Sequence, residues 1–418
     1  MCGIGVLFNE GDGDGWDAME LRRRGPDASG SAVAGGLYFA ASVLHIRGDT
    51  AVTQQPHIDG AGNVLLWNGE VFGHSGKPVE GSDTALVGHI LRTAVDRGND
   101  GNDGDPAARC GQLLAAALAD IVGPYAFIFY CQRLSTVFYG RDPFGRRSLL
   151  VAGGADAVHA VASVRPQRSI WEWAEVPVTG IFAVSTTTVM MTTTVSPPLL
   201  IPWPPTRLQL ARQQQQPQLA ALTALLPTPI VINSASQAPL LLALADENPA
   251  DRVPWQRLLV ALANAVYLRV RAMRHVPLPP PSSSVEPRPA RFGVLFSGGI
   301  DSVVLTALLH LCLDDASEPV DLINVSFSDD CPTPPTGGCE QPAPDRLAAV
   351  AALLELRRQY PGRPFRLVHV DVPATARCEL EAHVAPLVHP CKTVMDLNIG
   401  KSRVRAWVLN ERHAQRVC

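Results

Sequence analysis

At 418 residues the chain exceeds one average domain and points to two or three. An apolar fraction of 46% can fill real cores, and 35 basic against 39 acidic residues leave a net charge of −4, which excludes a general nucleic-acid binder with its basic excess. No apolar run reaches about 18 residues, the start lacks a basic n-region, and nine cysteines form no CxxC pair, so no membrane span, no secretory leader and a reducing cytoplasmic setting are expected.

Residues 2–184 read as many short strands with few helices. Strands are expected over 3–8, 37–44, 64–67, 125–130, 136–139, 158–162 and 180–184, where β-branched and aromatic residues are bounded by Gly, Asp and Pro. A helix is expected over 82–97, with Ser82 as its N-cap and Leu86, Ile90 and Leu91 on its apolar face. The Gly/Asp/Asn-rich stretch 96–106 reads as a surface loop. From 185 to 290 Thr-, Pro- and Gln-rich segments read as linker, interrupted by a helical pattern over 255–274. Beyond 291 strand and helix alternate: strand 293–296, helix 301–313, strand 320–327, helix 345–360, strand 365–370. Such alternation predicts a parallel sheet.

Two groups of residues carry chemistry. A thiol at Cys2, with Met1 removed, would share its residue with a free α-amine, whose ordinary pKa of about 7.7–8.0 suits a general base. Gly3 would leave room for an approaching carbonyl. Asn68 and Gly69 can supply one side-chain amide and one backbone N–H to an oxyanion. Arg47 can clamp a carboxylate, while Glu70 and Asp83 suit an ammonium group. Each also has a plain alternative: a surface arginine, a hairpin turn at Asn68-Gly69, a helix cap at Asp83. The second group is Phe296-Ser297-Gly298-Gly299-Ile300-Asp301-Ser302, after a strand and opening a helix. Two glycines and a helix start turn backbone N–H groups toward a phosphate, and the missing lysine rules out a Walker loop. Eleven histidines without HxH or HxxxH spacing offer no metal site, and Asp329-Asp330 reads as a solvated loop.

Met1-Cys2-Gly3-Ile4, Arg24-Gly25-Pro26-Asp27, Trp67-Asn68-Gly69-Glu70 and Gly81-Ser82-Asp83 resemble, in order and spacing, the glutamine amidotransferase domain of glutamine-dependent asparagine synthetases. His45-x-Arg47-Gly48 and the run 140–150 are similar to a less studied branch of that family. The resemblance implies an N-terminal-nucleophile αββα sandwich over 2–184, in which Cys2 attacks the glutamine amide. Asn68 and Gly69 would hold the oxyanion, and Arg47, Glu70 and Asp83 the glutamine. It further implies a linker over 185–290 and a parallel-sheet, Rossmann-like ATP-pyrophosphatase domain over 291–418. There Phe296, Ser297, Gly298, Gly299, Asp301, Ser302 and Val325 would hold ATP with Mg²⁺, and aspartate would be amidated. The likeness continues through Thr393-Val394-Met395-Asp396 to Ile399-Gly400 and then stops. The family's second Gly-rich acidic loop does not occur after Phe292, so the nucleotide domain is expected to be incomplete. Three functions stay open: the full synthetase, a glutaminase alone, and a catalytically impaired scaffold. No nucleic-acid or membrane partner is expected, and nothing in the sequence fixes an oligomeric state.

Overall fold

The computed structural model describes residues 2–8, 18–47, 51–79, 81–98, 105–153, 157–167, 169–186, 197–205, 254–273, 288–327, 344–391 and 393–411. Two units are present, residues 1–227 and 228–418. The first holds β1 (Gly3–Leu7), α1 (Ala18–Arg22), β2 (Ala28–Ala34), β3 (Leu37–Val43), β4 (His57–Ile58), β5 (Val64–Gly69), β6 (Gly73–His74), β7 (Lys77–Pro78), α2 (Asp83–Arg97), α3 (Pro106–Ala119), β8 (Ile121–Val122), β9 (Tyr125–Cys131), β10 (Thr136–Arg141), β11 (Leu150–Gly153), β12 (Val158–Ala162), β13 (Trp173–Glu175), β14 (Gly180–Ser185) and β15 (Leu199–Pro202). They form two six-stranded antiparallel sheets, β13-β11-β12-β1-β3-β2 and β15-β14-β10-β9-β5-β4, and a small sheet β7-β6-β8.

Side-chain alternation stacks the layers. The even-numbered residues of β1 and β5 (Ile4, Val6, Val64, Leu66) share one buried cluster with Ala126, Ile128 and Tyr130, so the two large sheets face each other. Leu65, Trp67, Phe127 and Phe129 point the other way, onto Val87 and Leu91 of α2 and Leu114 and Leu118 of α3. On the far side of the first sheet, Leu7, Ala40 and Ala160 meet Leu21 of α1. Each such fully buried Val, Leu or Phe contributes roughly 1.5–3 kcal/mol relative to exposure. Even residues therefore look into the layer between the sheets. That rule decides where Cys2 and Asn68 end up.

The second unit holds α4 (Pro254–Met273), β16 (Phe292–Leu295), α5 (Ile300–Cys312), β17 (Val320–Phe327), α6 (Pro344–Gln359), β18 (Phe365–Val372), α7 (Ala374–Val388) and α8 (Val394–Glu411). Its three strands are parallel in the order β16-β17-β18. The chain is thus a mixed α/β protein of several sheets. Among the described residues no helix is long and apolar enough to cross a membrane.

Several expectations differ from this arrangement. Residue 184 does not end the first unit, because Leu199–Pro202 pairs with β14 as an edge strand and sends Ile201 into the α3 side of the core. The helical segment at Pro254–Met273 is not free linker: Ala263 packs on Leu308 of α5. Helix α2 runs to Arg97 and α3 begins at Pro106, with Asp105 accepting the Ala107 N–H as N-cap, so both helices take residues from the expected loop 96–106, of which 99–104 lie outside the described residues. The linker stretches 187–196, 206–253 and 274–287, and Asp329-Asp330, lie outside the described residues.

Candidate active site

Cys2 stands one residue before β1, on the same side as Ile4 and Val6, and packs on the inter-sheet core. Both backbone groups of Ile4 are clasped by Ser163, its N–H by Oγ at 3.0 Å and its carbonyl by the Ser163 N–H at 2.8 Å. Across from Cys2, the Leu44 N–H donates to Sγ at 3.4 Å. Asn68 has the same parity as Leu66 and looks into the same layer from β5. Thiol and amide thus close the two facing stripes at one end of the sandwich.

There a pocket opens, lined by Cys2, Arg47, Asn68, Gly69, Glu70 and Asp83 together with His45, Thr53, Gln55, Thr84 and Arg147. Of the seven residues singled out in the first unit, all but Gly3 line this one cavity. The plain alternatives fail individually. Asn68 and Gly69 end a strand rather than make a hairpin turn, Arg47 is 9% exposed, and the N-cap of α2 is Ser82, not Asp83.

The segment 44–47 is held by the Arg24-Gly25-Pro26-Asp27 motif. Asp27 accepts the His45 N–H at 2.6 Å and donates its own N–H to Val43 at 3.0 Å. A side chain at Gly25 would lie 2.4 Å from the Ser42 carbonyl. The second wall is held by Gln55, whose amide brackets Trp67 (Oε1 from Trp67 N–H, 2.7 Å; Nε2 to Trp67 carbonyl, 3.0 Å) and reaches Thr84 at 3.2 Å.

Charges in the pocket are two guanidiniums and two carboxylates. Arg47 Nη1 lies 3.2 Å from Asp83 Oδ1, and its Nη groups also donate to the carbonyls of Val71 and Val79. Most of the fork expected for a carboxylate is therefore already engaged. Asp83 Oδ2 accepts the Val71 N–H at 3.0 Å, while Oδ1 is buried with no aligned donor among the described residues. Burial wins over Arg47 and lifts the Asp83 carboxyl to about 7. Glu70 is not an open anion: Arg147 Nη2 donates to its Oε1 at 2.7 Å. Both amide atoms of Asn68 are buried and unpaired among the described residues, an uncompensated cost unless something enters to meet them. Burial pushes the Cys2 thiol up, opposed by the amino-terminal charge, the Leu44 amide and Arg147. Gly3 has a different role from the one expected. A side chain there would meet the Leu21 carbonyl at 2.3 Å, so the glycine admits α1, not a substrate.

In the second unit Phe296–Gly299 connect β16 to α5, whose first turn carries Asp301 and Ser302. The Phe296 N–H donates to Ile323 at 2.8 Å, and Asn324 Nδ2 donates to the Phe296 carbonyl at 2.9 Å. Gly298 adopts φ +81°, with the backbone of Ala348 2.4 Å from where its Cβ would sit. Gly299 is the N-cap of α5; its N–H donates to Ser297 Oγ at 3.3 Å, and Ser302 Oγ donates to its carbonyl at 2.9 Å. The Ser302 hydroxyl is thus turned into the helix. Asp301 is exposed in the first turn. Leu295 pairs with Ile323, which sets Val325 two residues on, where it packs among Val368 and Val370. Among the described residues no cluster of three or more His, Cys, Asp or Glu could cage a metal. The exposed Asp301 carboxylate fits a Mg²⁺ that would arrive on phosphates, since such an ion needs only one or two protein carboxylates.

The residue that the sequence reading left without a role is Arg147. It sat inside the run 140–150 and nothing local singled it out, because its partner Glu70 is 77 residues away.

Fold and pocket define a mixed α/β protein whose first unit carries a polar pocket lined by a thiol. The chain is 29% identical, over 94% of its length, to "Asparagine synthetase domain-containing protein 1" of Bos taurus, of which it covers 71%. To the Homo sapiens protein of that name it is 27% identical over 91% of this chain and 68% of that one. To the Saccharomyces cerevisiae protein YML096W, also called asparagine synthetase domain-containing, it is 28% identical over 69% of this chain. Over most of its length the chain is thus similar to asparagine synthetase domain-containing proteins. No family model matches it. Among solved structures, a Bacillus subtilis glutamine phosphoribosylpyrophosphate amidotransferase with ADP and GMP is 14% identical over 94% of each chain, at a TM-score of 0.37, too loose to argue from.

Proposed function

We propose that the first unit is an N-terminal-nucleophile glutaminase and that the protein is a glutamine-dependent asparagine synthetase. The observation that carries this reading is the convergence of Cys2, Asn68, Gly69 and Asp83 on one cavity. Cys2 Sγ would add to the side-chain carbonyl of glutamine, its proton passing to the α-amine freed by loss of Met1. The amide nitrogen would leave as ammonia, and water would then cleave the thioester to glutamate. Asn68 Nδ2 and the Gly69 N–H would meet the oxyanion, which explains a buried amide left unpaired. Asp83 Oδ1, a buried acceptor that Arg47 faces at 3.2 Å without an aligned hydrogen bond, suits the α-ammonium, and the donors left on Arg47 the α-carboxylate.

In the second unit the segment 296–302 would hold the phosphates of ATP on backbone N–H groups at the start of α5. Asp301 would hold Mg²⁺ together with those phosphates, and the ion would neutralise their charge. Aspartate, ATP and ammonia would give asparagine, AMP and pyrophosphate.

A second reading, glutaminase without synthesis or a scaffold without either, draws on the mutual pairing of Arg47 with Asp83 and of Arg147 with Glu70, which satisfies the charges without substrate. Glutamate and AMP measured together on the purified chain, with and without aspartate, decide between them. The synthetase yields both products, AMP only with aspartate present; glutamate alone selects the glutaminase, and neither product selects the scaffold.

A further inference from the structure

We propose that Arg147 is the positioning residue of this pocket: anchored by Glu70, its guanidinium presents a fixed cation to the Cys2 sulfur. The hydrolytic reading supplies the kinetic consequence, but the electrostatic core of the inference stands apart from it.

Three features of the chain make the cation fixed rather than incidental. Arg147 leaves a turn folded around the fully buried Asp142, whose oxygens accept the N–H groups of Tyr125, Phe144 and Arg146. Its own carbonyl accepts Arg141 Nε at 2.8 Å, so the backbone that launches the side chain is held directly. At the far end Nη2 meets Glu70 at 2.7 Å with both side chains mostly shielded, and a partly shielded pair is screened little by salt.

The ion pair does not exhaust the group. Arg147 Nε is buried and without a partner among the described residues, and Arg147 lines the same cavity as the Cys2 thiol. Arg147 also acts on its neighbours at a distance: its charge favours the thiolate of Cys2 and, with burial, holds Arg24 down to about 10. A buried thiol needs such a cation, since burial alone disfavours the thiolate that does the attacking. Glu70 then serves two ends. It fixes the guanidinium and tempers its charge.

That division predicts opposite responses from the two members of one ion pair, which a merely structural pair would not give. The full chain is alkylated with iodoacetamide from pH 5 to 10, and modification of the Cys2 peptide is followed by mass spectrometry. Arg147→Gln should move the alkylation curve to higher pH and slow the reaction at pH 7 by about tenfold, the effect of one unit of thiol pKa. Arg147→Lys should keep most of the parent rate, and Glu70→Gln should move the curve to lower pH. In glutamate release Arg147→Gln should lower kcat more than it raises KM.

An alkylation curve unmoved in Arg147→Gln, or moved in the same direction in Arg147→Gln and Glu70→Gln, overturns the inference. Should Arg147→Gln fail to fold, judged by its melting curve, the downward movement in Glu70→Gln is the deciding result and its absence overturns the proposal. Alkylation reports on the thiol whatever the substrate is, so a chain that releases no glutamate but shows the opposed shifts removes the hydrolytic reading and leaves this one.

Discussion

Asp83 shows how one residue can oppose the fold and serve the site. Its carboxyl is lifted to about 7 by burial although Arg47 stands 3.2 Å away, so dehydration outweighs the pairing. The folded state therefore keeps the proton to higher pH than the unfolded chain, where an aspartate titrates near 3.9. Between those two values the folded state binds more protons, and stability from this group falls as pH rises from about 4 through about 7. Asp83→Asn should consequently gain on the parent in Tm as pH is raised from 5 to 8, read by thermal melts at each pH. The same substitution removes the acceptor proposed for an ammonium group, so glutamine KM should rise by at least tenfold at pH 8. In the parent KM should itself climb as pH drops below about 7, and that inflection should vanish in the variant. A pH-independent KM in the parent would assign the ammonium to another group.

At the scale of elements, the pocket depends on close backbone approaches that only glycine allows. Gly3 lets the Leu21 carbonyl of α1 come where a Cβ would stand, at 2.3 Å. Gly3→Ala must push α1 from β1 and disturb the strand that carries Cys2, at a cost of about 2–4 kcal/mol, measurable by urea unfolding. Gly298→Ala combines a left-handed φ of +81° with an Ala348 contact at 2.4 Å and should destabilise the loop by a similar amount. Most elements were legible because their apolar residues alternate or recur cleanly: β12 and β17 were expected with the bounds observed, and α2 with its cap. Those missed lacked that signal. Strand β2, Ala-Ser-Gly-Ser-Ala-Val-Ala, is an edge strand of small residues with no fully buried face. Helix α7 carries Pro386 in its interior, and α8 is amphipathic only weakly although Thr393 and Asp396 cap it reciprocally. The six pocket residues were legible as types at motif spacing, but their pairings were not, since Arg47–Asp83 and Glu70–Arg147 join positions 36 and 77 residues apart.

For the whole molecule, the two candidate sites sit in separate units, each with a core of its own. Stability and chemistry of one unit are then separable from those of the other at the level of single side chains. Cys2 ends a stripe on the inter-sheet core of the first unit, and Asp301 is exposed in the first turn of a helix in the second. Removing the sulfur deletes the nucleophile of this mechanism, so Cys2→Ala should reduce glutamate release to background. ATP binding, followed by calorimetry with Mg²⁺ present, should be unchanged. Asp301→Ala should do the reverse. It withdraws one carboxylate from a phosphate-borne ion, weakening ATP binding by about tenfold while glutamate release keeps the parent rate. Exposure makes this substitution safe for the fold, since surface changes away from special contacts usually stay within about 0.5 kcal/mol. If Asp301→Ala slows glutamate release as much as it weakens ATP binding, the two units are coupled through the nucleotide, and the glutaminase rate should then also respond to ATP in the parent protein.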